Sequence, residues 1–267
     1  MAALKPFHNT YRCTGNAGDE APDLVLLHGW GLSARVWAPL CAELEASDLA
    51  ICAPDLPGHG AAPAAGSATL ADWSDRVAAD LPEGATVCGW SLGALIALDL
   101  AVRHAVKVSR LVLIGSTPRF VTCADWPHGL PANTVANFCR QFTTAPAEIL
   151  RRFIALQTLG DTRRQGLIRA LDHALTAAAP GTAQAAALAD GLAVLADTDL
   201  RAAVASVRQP TLLIHGEGDA LMPLSAGRWL AATLPAARLE ALAGCGHAPF
   251  LSQPEACAAL LERFIHG

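Results

Sequence analysis

The sequence predicts an α/β protein, a mainly parallel, doubly wound sheet with an inserted helical segment, and three observations carry that prediction. Short, wholly apolar runs such as Leu24–Leu27 and Val108–Ile114 alternate with helical patterns. Each run ends in a loop rich in Gly, Pro or His. Between about Arg119 and Gln184 the strand runs vanish while helical patterns continue. A strand that is apolar throughout is buried on both faces, which is the condition of a parallel sheet covered by helices.

Taken in order, the first clear strand is Leu24–Leu27, closed by His28-Gly29-Trp30-Gly31. Leu49–Ala53 is the second and runs into Pro54-Asp55-Leu56-Pro57-Gly58-His59-Gly60, a composition that marks a tight irregular loop. Leu70, Trp73, Val77 and Leu81 recur at helical spacing with acidic and basic residues between them, so this stretch is an amphipathic helix. Ala85–Cys88 is a strand leading into Gly89-Trp90-Ser91-Leu92-Gly93, and Ala94–Val102 is rich in strong helix formers. Val108–Ile114, Thr211–His215 and the weaker Arg238–Ala241 complete the strands, and a last helix spans Pro254–Ile265 with proline at its start. Pro127, Pro131, Pro146, Gly160 and Pro180 break the intervening stretch into several helices. The expected division is a core of residues 1–118 and 186–267 with a helical lid over 119–185.

Hydrophobic residues make up 52% of the 267-residue chain and charged residues 16%, enough apolar material for a buried sheet. The net charge of -5 argues against nucleic acid as a partner, because that interaction rests on neutralising phosphates. No stretch approaches the roughly 18 apolar residues of a membrane helix, and Met1–Asn9 lacks a signal-peptide run. A soluble, cytoplasmic, monomeric protein with no membrane partner is expected. The eight cysteines never show the two-residue gap of a metal knuckle, and the chain holds no H-E-x-x-H, phosphate loop or dinucleotide fingerprint. No metal and no cofactor are expected.

Gly89-Trp90-Ser91-Leu92-Gly93 fits the G-x-S-x-G elbow, in which a serine sits on a sharp strand-to-helix turn. Ser91 in its strand and helix context is the candidate nucleophile; a helix cap is the plainer reading of a lone serine. A serine hydroxyl needs an imidazole to take its proton and a carboxylate to orient the imidazole. In the α/β-hydrolase fold these follow the serine in the order acid, histidine, on loops after later strands. Asp219, just beyond Thr211–His215, and His247, in Gly246-His247-Ala248-Pro249-Phe250, fill those places; Glu217 and Asp197 are the rival acids. The oxyanion that forms needs two N–H donors, expected from the backbones of Leu92 and Trp30.

These segments, together with Val36-Trp37 and Phe153-Ile154-Ala155-Leu156-Gln157-Thr158, resemble the pimeloyl-[acyl-carrier protein] methyl ester esterases (BioH) of biotin synthesis over nearly the whole chain. The resemblance implies hydrolysis of the methyl ester of a pimeloyl chain held on acyl-carrier protein, with release of methanol. It implies that Trp30, Ser91, Leu92, Phe153, Ile154, Ala155, Leu156, Gln157 and His247 line the substrate site. It also implies that lid arginines dock the carrier, Arg152, Arg164 and Arg169 being the nearest matches, although Glu148 stands where a further basic residue is expected. Charge supports an acidic partner: residues 119–185 carry seven arginines against four acidic residues, while the remainder carries 12 basic and 20 acidic residues. Two other functions stay open at this point, a broad carboxylesterase or thioesterase for short acyl groups, and a ligand-binding module without turnover.

Overall fold

The computed structural model describes residues 10–14 and 21–267. Among them, seven strands form one sheet: β1 (Thr10–Thr14), β2 (Leu24–Leu27), β3 (Ile51–Pro54), β4 (Ala85–Trp90), β5 (Val108–Ile114), β6 (Thr211–Gly216) and β7 (Ala237–Leu242). Their spatial order is β1-β3-β2-β4-β5-β6-β7. Strands β2 to β7 run parallel, and β1 pairs antiparallel with β3 at one edge. The sequence reading began the sheet at Leu24 and missed β1, whose TYRCT run carries no apolar block.

Side-chain alternation along each strand builds two cores, one on each face of the sheet. Val25, Leu27, Val87, Leu111, Leu113 and Leu213 enter one cluster. Their neighbours Leu24, Leu26, Cys88, Val112, Leu212 and Ile214 enter the other. Every residue of β2, β3, β4 and β6 is buried, which explains why these strands read as continuous apolar runs.

The helices before the insertion are α1 (Ala38–Glu43), α2 (Leu70–Asp80) and α3 (Leu92–Arg103). The side chain of Thr69 caps α2 by accepting the Asp72 N–H at 3.2 Å, a contact worth about 1 kcal/mol. Helix α3 is buried from Leu92 to Ala101, so its apolar residues surround the axis instead of forming a stripe. Between β5 and β6 come α4 (Ala132–Thr144), α5 (Pro146–Gln157), α6 (Arg164–His173), α7 (Ala183–Asp197) and α8 (Arg201–Val204); α9 (Leu224–Thr233), α10 (Pro249–Ser252) and α11 (Pro254–His266) follow. Residue 185, the expected end of the insertion, falls inside α7. Thr182 starts that helix by accepting the Ala185 N–H at 3.2 Å, so the chain has no break where the boundary was drawn.

From β2 the chain passes outward to β3 and returns to β4 on the other side of β2. The carboxyl ends of β2 and β4 therefore flank a reversal of strand order, where ligands of open α/β sheets bind. His28–Gly31 and Ser91 lie at those two ends, and Leu27 pairs with Gly89 across them.

Candidate active site

Ser91 stands between β4 and α3 at φ 58 and ψ -116, the one non-glycine residue with positive φ among those described. An L side chain rarely holds that conformation, and the surrounding contacts enforce it. A Cβ on Gly89 would lie 2.2 Å from the Gly93 carbonyl oxygen, and one on Gly93 would lie 2.2 Å from that of Leu27. Both glycines of the motif are there because backbone passes where a side chain would be. The Ser91 N–H donates to the Ile114 carbonyl at 3.1 Å, pinning the turn to the end of β5.

His247 and Asp219 lie on the loops after β7 and β6. The Nδ1–H of His247 donates to Asp219 Oδ2 at 2.7 Å, and Asp219 Oδ1 accepts the N–H groups of Leu221 and Met222 at 2.9 Å each. Burial by itself would raise the pKa of Asp219; attraction to His247, its hydrogen bond and the Met222 N–H outweigh that and hold the carboxyl below its ordinary value. Glu217, one rival acid, is exposed, as is Asp197 at the end of α7. The Nε2 atom of His247 is buried with no hydrogen-bond partner among the described residues. It is the atom that would face a serine proton, and such bonds are often made only once substrate is bound.

Two residues hold His247 against the elbow. The Trp90 indole N–H donates to the His247 carbonyl at 2.8 Å, with the two rings 5.6 Å apart. Gly115, at φ 49, leaves room for the imidazole, since a Cβ there would lie 3.1 Å from His247 Nδ1. Behind Asp219 stands a second buried imidazole. The Nε2–H of His215 donates to the Met222 carbonyl at 2.6 Å and lies 3.5 Å from Asp219 Oδ2. Burial lowers the His215 pKa and keeps it neutral.

The loop after β2 is organised by His28, which donates Nδ1–H to the Gly29 carbonyl at 2.8 Å and accepts the Leu56 N–H on Nε2 at 2.9 Å. Burial pushes its pKa down to about 4, so it stays neutral and can serve as both donor and acceptor. A Cβ on Gly29 would meet the Trp90 ring at 3.2 Å and Ser91 Cβ at 3.4 Å, which places this loop against the serine. Among the described residues, the backbone N–H groups of Trp30 and Leu92 donate to no protein acceptor. Leu92 is also the first residue of α3, where the helix dipole is positive.

The Trp30 ring is fully buried and donates its indole N–H to the Leu188 carbonyl of α7 at 2.7 Å. Phe142 and Phe153 meet it edge-on at 5.3 and 5.0 Å, and Phe138 at 6.0 Å. The result is an aromatic wall shared by α4, α5 and the loop after β2. Of the predicted Phe153–Gln157 segment, Phe153 joins the core that holds Trp30, Ile154 joins the core on the other face, and Gln157 is buried. Leu156 is 37% exposed. A helix turns about 100° per residue, so five successive residues do not share one face.

Residues 24–260 match the family described as alpha/beta hydrolase. A pimeloyl-[acyl-carrier protein] methyl ester esterase of Aromatoleum aromaticum is 57% identical over 92% of this chain and 99% of its own length. Another of the same name, from Nitrosomonas europaea, is 40% identical over 91% of this chain and 93% of its own. The chain belongs to this esterase family within the α/β hydrolases. Among solved structures, an enol-lactonase from Burkholderia xenovorans shares 21% identity with this hydrolase at a TM-score of 0.81, covering 97% of this chain and 96% of its own. An esterase from Exiguobacterium antarcticum gives a TM-score of 0.79 at 21% identity over 93% of this chain and 92% of its own. At those identities the likeness is one of fold.

Arg152, Arg164 and Arg169, the arginines expected to dock the carrier, are all exposed. Arg152 donates to Gln141 of α4 at 2.8 Å, and Arg164 Nε lies 3.3 Å from Thr158 Oγ1. Sequence reasoning missed Phe138 and Phe142, whose four-residue spacing on α4 was the available signal, and it missed His215 and Trp90 as neighbours that hold Asp219 and His247. Buried thiols behave as expected of apolar fillers: burial raises the pKa of Cys88, and it raises those of Cys245 and Cys257 to about 11 and 12.

Proposed function

We propose that the chain hydrolyses the methyl ester of a pimeloyl chain carried on acyl-carrier protein, with Ser91 as nucleophile, His247 as base and Asp219 as the residue orienting it. The observation that carries this reading is its 57% identity, over nearly the full length of both chains, to a protein of that name. The Asp219–His247 hydrogen bond and the strained Ser91 turn supply the chemistry it requires.

Ser91 Oγ attacks the ester carbonyl carbon as its proton passes to His247 Nε2, and the N–H groups of Trp30 and Leu92 take the oxyanion. The carbon–methoxy bond breaks, and the methoxy oxygen leaves as methanol with the proton from His247. Water then attacks the acyl-enzyme, giving a proton to His247. Collapse returns that proton to Ser91 and frees the carboxylate. The aromatic wall of Trp30, Phe142 and Phe153 offers the apolar surface that a seven-carbon chain would lie on.

Complementation of a biotin auxotroph lacking this esterase tests the reading: growth with the wild type and none with Ser91→Ala is expected. Methanol release from methyl pimeloyl carrier protein in vitro, falling by several orders of magnitude in Ser91→Ala, is the matching kinetic result. A broad esterase without a carrier partner is distinguished by neutralising Arg152, Arg164 and Arg169 together. The carrier reading expects KM to rise for the carrier-bound ester and to stay unchanged for a short nitrophenyl ester.

A further inference from the structure

The turn between α5 and α6 is bonded directly to the loop that carries His247. Asp161, on that turn, accepts the Gly246 N–H on Oδ2 at 2.8 Å, and the same oxygen accepts the Ser252 hydroxyl. Its Oδ1 accepts the Arg163 N–H at 2.7 Å. On either side, the His247 N–H donates to the Gln157 carbonyl at 3.2 Å, and the Thr162 N–H and hydroxyl both donate to the Gly244 carbonyl, at 3.0 and 3.1 Å. The Arg163 guanidinium donates to the Ser252 carbonyl, at the end of α10, at 2.7 Å. Backbone contact is just as close, since a Cβ on Gly246 would lie 2.8 Å from the Leu159 carbonyl oxygen.

We infer that Asp161 is a positioning residue for His247: its carboxylate holds the Gly246 peptide, and thereby sets where the next residue carries its imidazole. This rests on the reading of His247 as the base. Among the described residues Asp161 makes no hydrogen bond to Ser91 or Asp219, so its effect on them passes through the Gly246–Ser252 segment that carries His247. An ionised carboxylate is a strong acceptor for a peptide N–H, roughly twice a neutral one, and here a single oxygen serves two donors from the two ends of the histidine segment. Small displacements of a general base are costly, about a hundredfold in rate for 1 Å.

The test compares wild type, Asp161→Ala, Asp161→Ser and Asp161→Asn on p-nitrophenyl butyrate and in the rate of fluorophosphonate labelling of Ser91, each well below its own melting temperature. Serine suits the turn but is too short to reach Gly246, so it reads the same loss if the alanine variant does not fold. Asparagine keeps an acceptor for Gly246. Expected are a fall in kcat of about 10- to 100-fold with KM within twofold for Ala and Ser, an equal fall in labelling rate, and recovery of most of the loss with Asn. A kcat within twofold of wild type in the Ala or Ser variant, whatever its melting temperature, would overturn the inference. So would an Asn variant no better than Ser. A wild type that neither turns over the ester nor labels overturns the hydrolase reading and this inference with it, an outcome separate from any change confined to the Asp161 variants.

Discussion

The indole N–H of Trp90 donates to the carbonyl oxygen of His247 at 2.8 Å, joining the residue before Ser91, the proposed nucleophile, to the proposed base. The Trp90 ring also packs edge-on against Phe250 at 5.0 Å. Trp90→Phe keeps part of that packing and removes the donor, leaving a buried carbonyl unpaired at a cost of about 1–3 kcal/mol. The expected outcome is a lower urea midpoint and a kcat reduced about tenfold with KM unchanged. Equilibrium unfolding and steady-state esterase kinetics on the same preparation check both.

Ser91 holds φ 58 and ψ -116 against its own preference. Strain of that kind costs about 1–3 kcal/mol, and glycine does not experience it. Ser91→Gly is therefore expected to abolish turnover and to raise the melting temperature, with Ser91→Ala inactive but less stabilised. Differential scanning calorimetry of the two variants separates strain from chemistry.

His28 and His59 are fully buried, with rings 5.3 Å apart, and burial pushes their pKa values down to about 4 and about 3. For His59 the neighbouring His28 adds to the effect. Both are neutral in the fold, whereas the unfolded chain protonates them near pH 6.5. The unfolded state thus binds more protons, so stability is full above about pH 6.5 and falls as pH drops toward 4, by up to about 1.4 kcal/mol per pH unit for each imidazole. Urea unfolding at pH 7.5 and 5.0 measures the fall, and His59→Gln is expected to reduce its slope by one proton.

His215 supports Asp219 through the Met222 carbonyl, which accepts its Nε2–H at 2.6 Å while the Met222 N–H donates to Asp219 Oδ1. His215→Leu leaves that carbonyl without a donor. The expected result is a loss of about 1–3 kcal/mol in stability and a fall in kcat with KM preserved, partly restored in His215→Asn or His215→Gln.

The strands and the triad candidates were legible because the physics behind them is local. A strand buried on both faces must be apolar, and a serine at an elbow needs glycines on each side. Strand β1 was not legible, since its place depends on pairing with β3 at an edge and not on any pattern of its own. The end of the insertion was drawn at residue 185, inside α7, because that helix carries an alanine-rich run with no break signal. The Phe153–Gln157 run was read as a line, whereas a helix spreads successive residues around its axis and leaves Leu156 37% exposed. Asp161 carried no signal at all: its meaning lies in reaching Gly246, 85 residues away.

The helical insertion is fastened both to the loop after β2 and to the loop that carries His247. Thr176 donates its N–H to the Gly31 carbonyl at 2.9 Å, and its hydroxyl donates to that of Leu32 at 2.8 Å. The Ser33 hydroxyl donates to the Ala174 carbonyl at 2.9 Å. Residues 157–163 are bonded to the His247 loop at the other side, so the helices are tied to both loops that the proposed chemistry would use. A graft that exchanged the helices for those of another esterase would break the bonds to Gly31, Leu32 and Ser33 together with those to the His247 loop. Substitution of one wall residue at a time, at Phe138, Phe142 or Phe153, leaves those fastenings in place and is the gentler way to alter the surface proposed for the acyl chain.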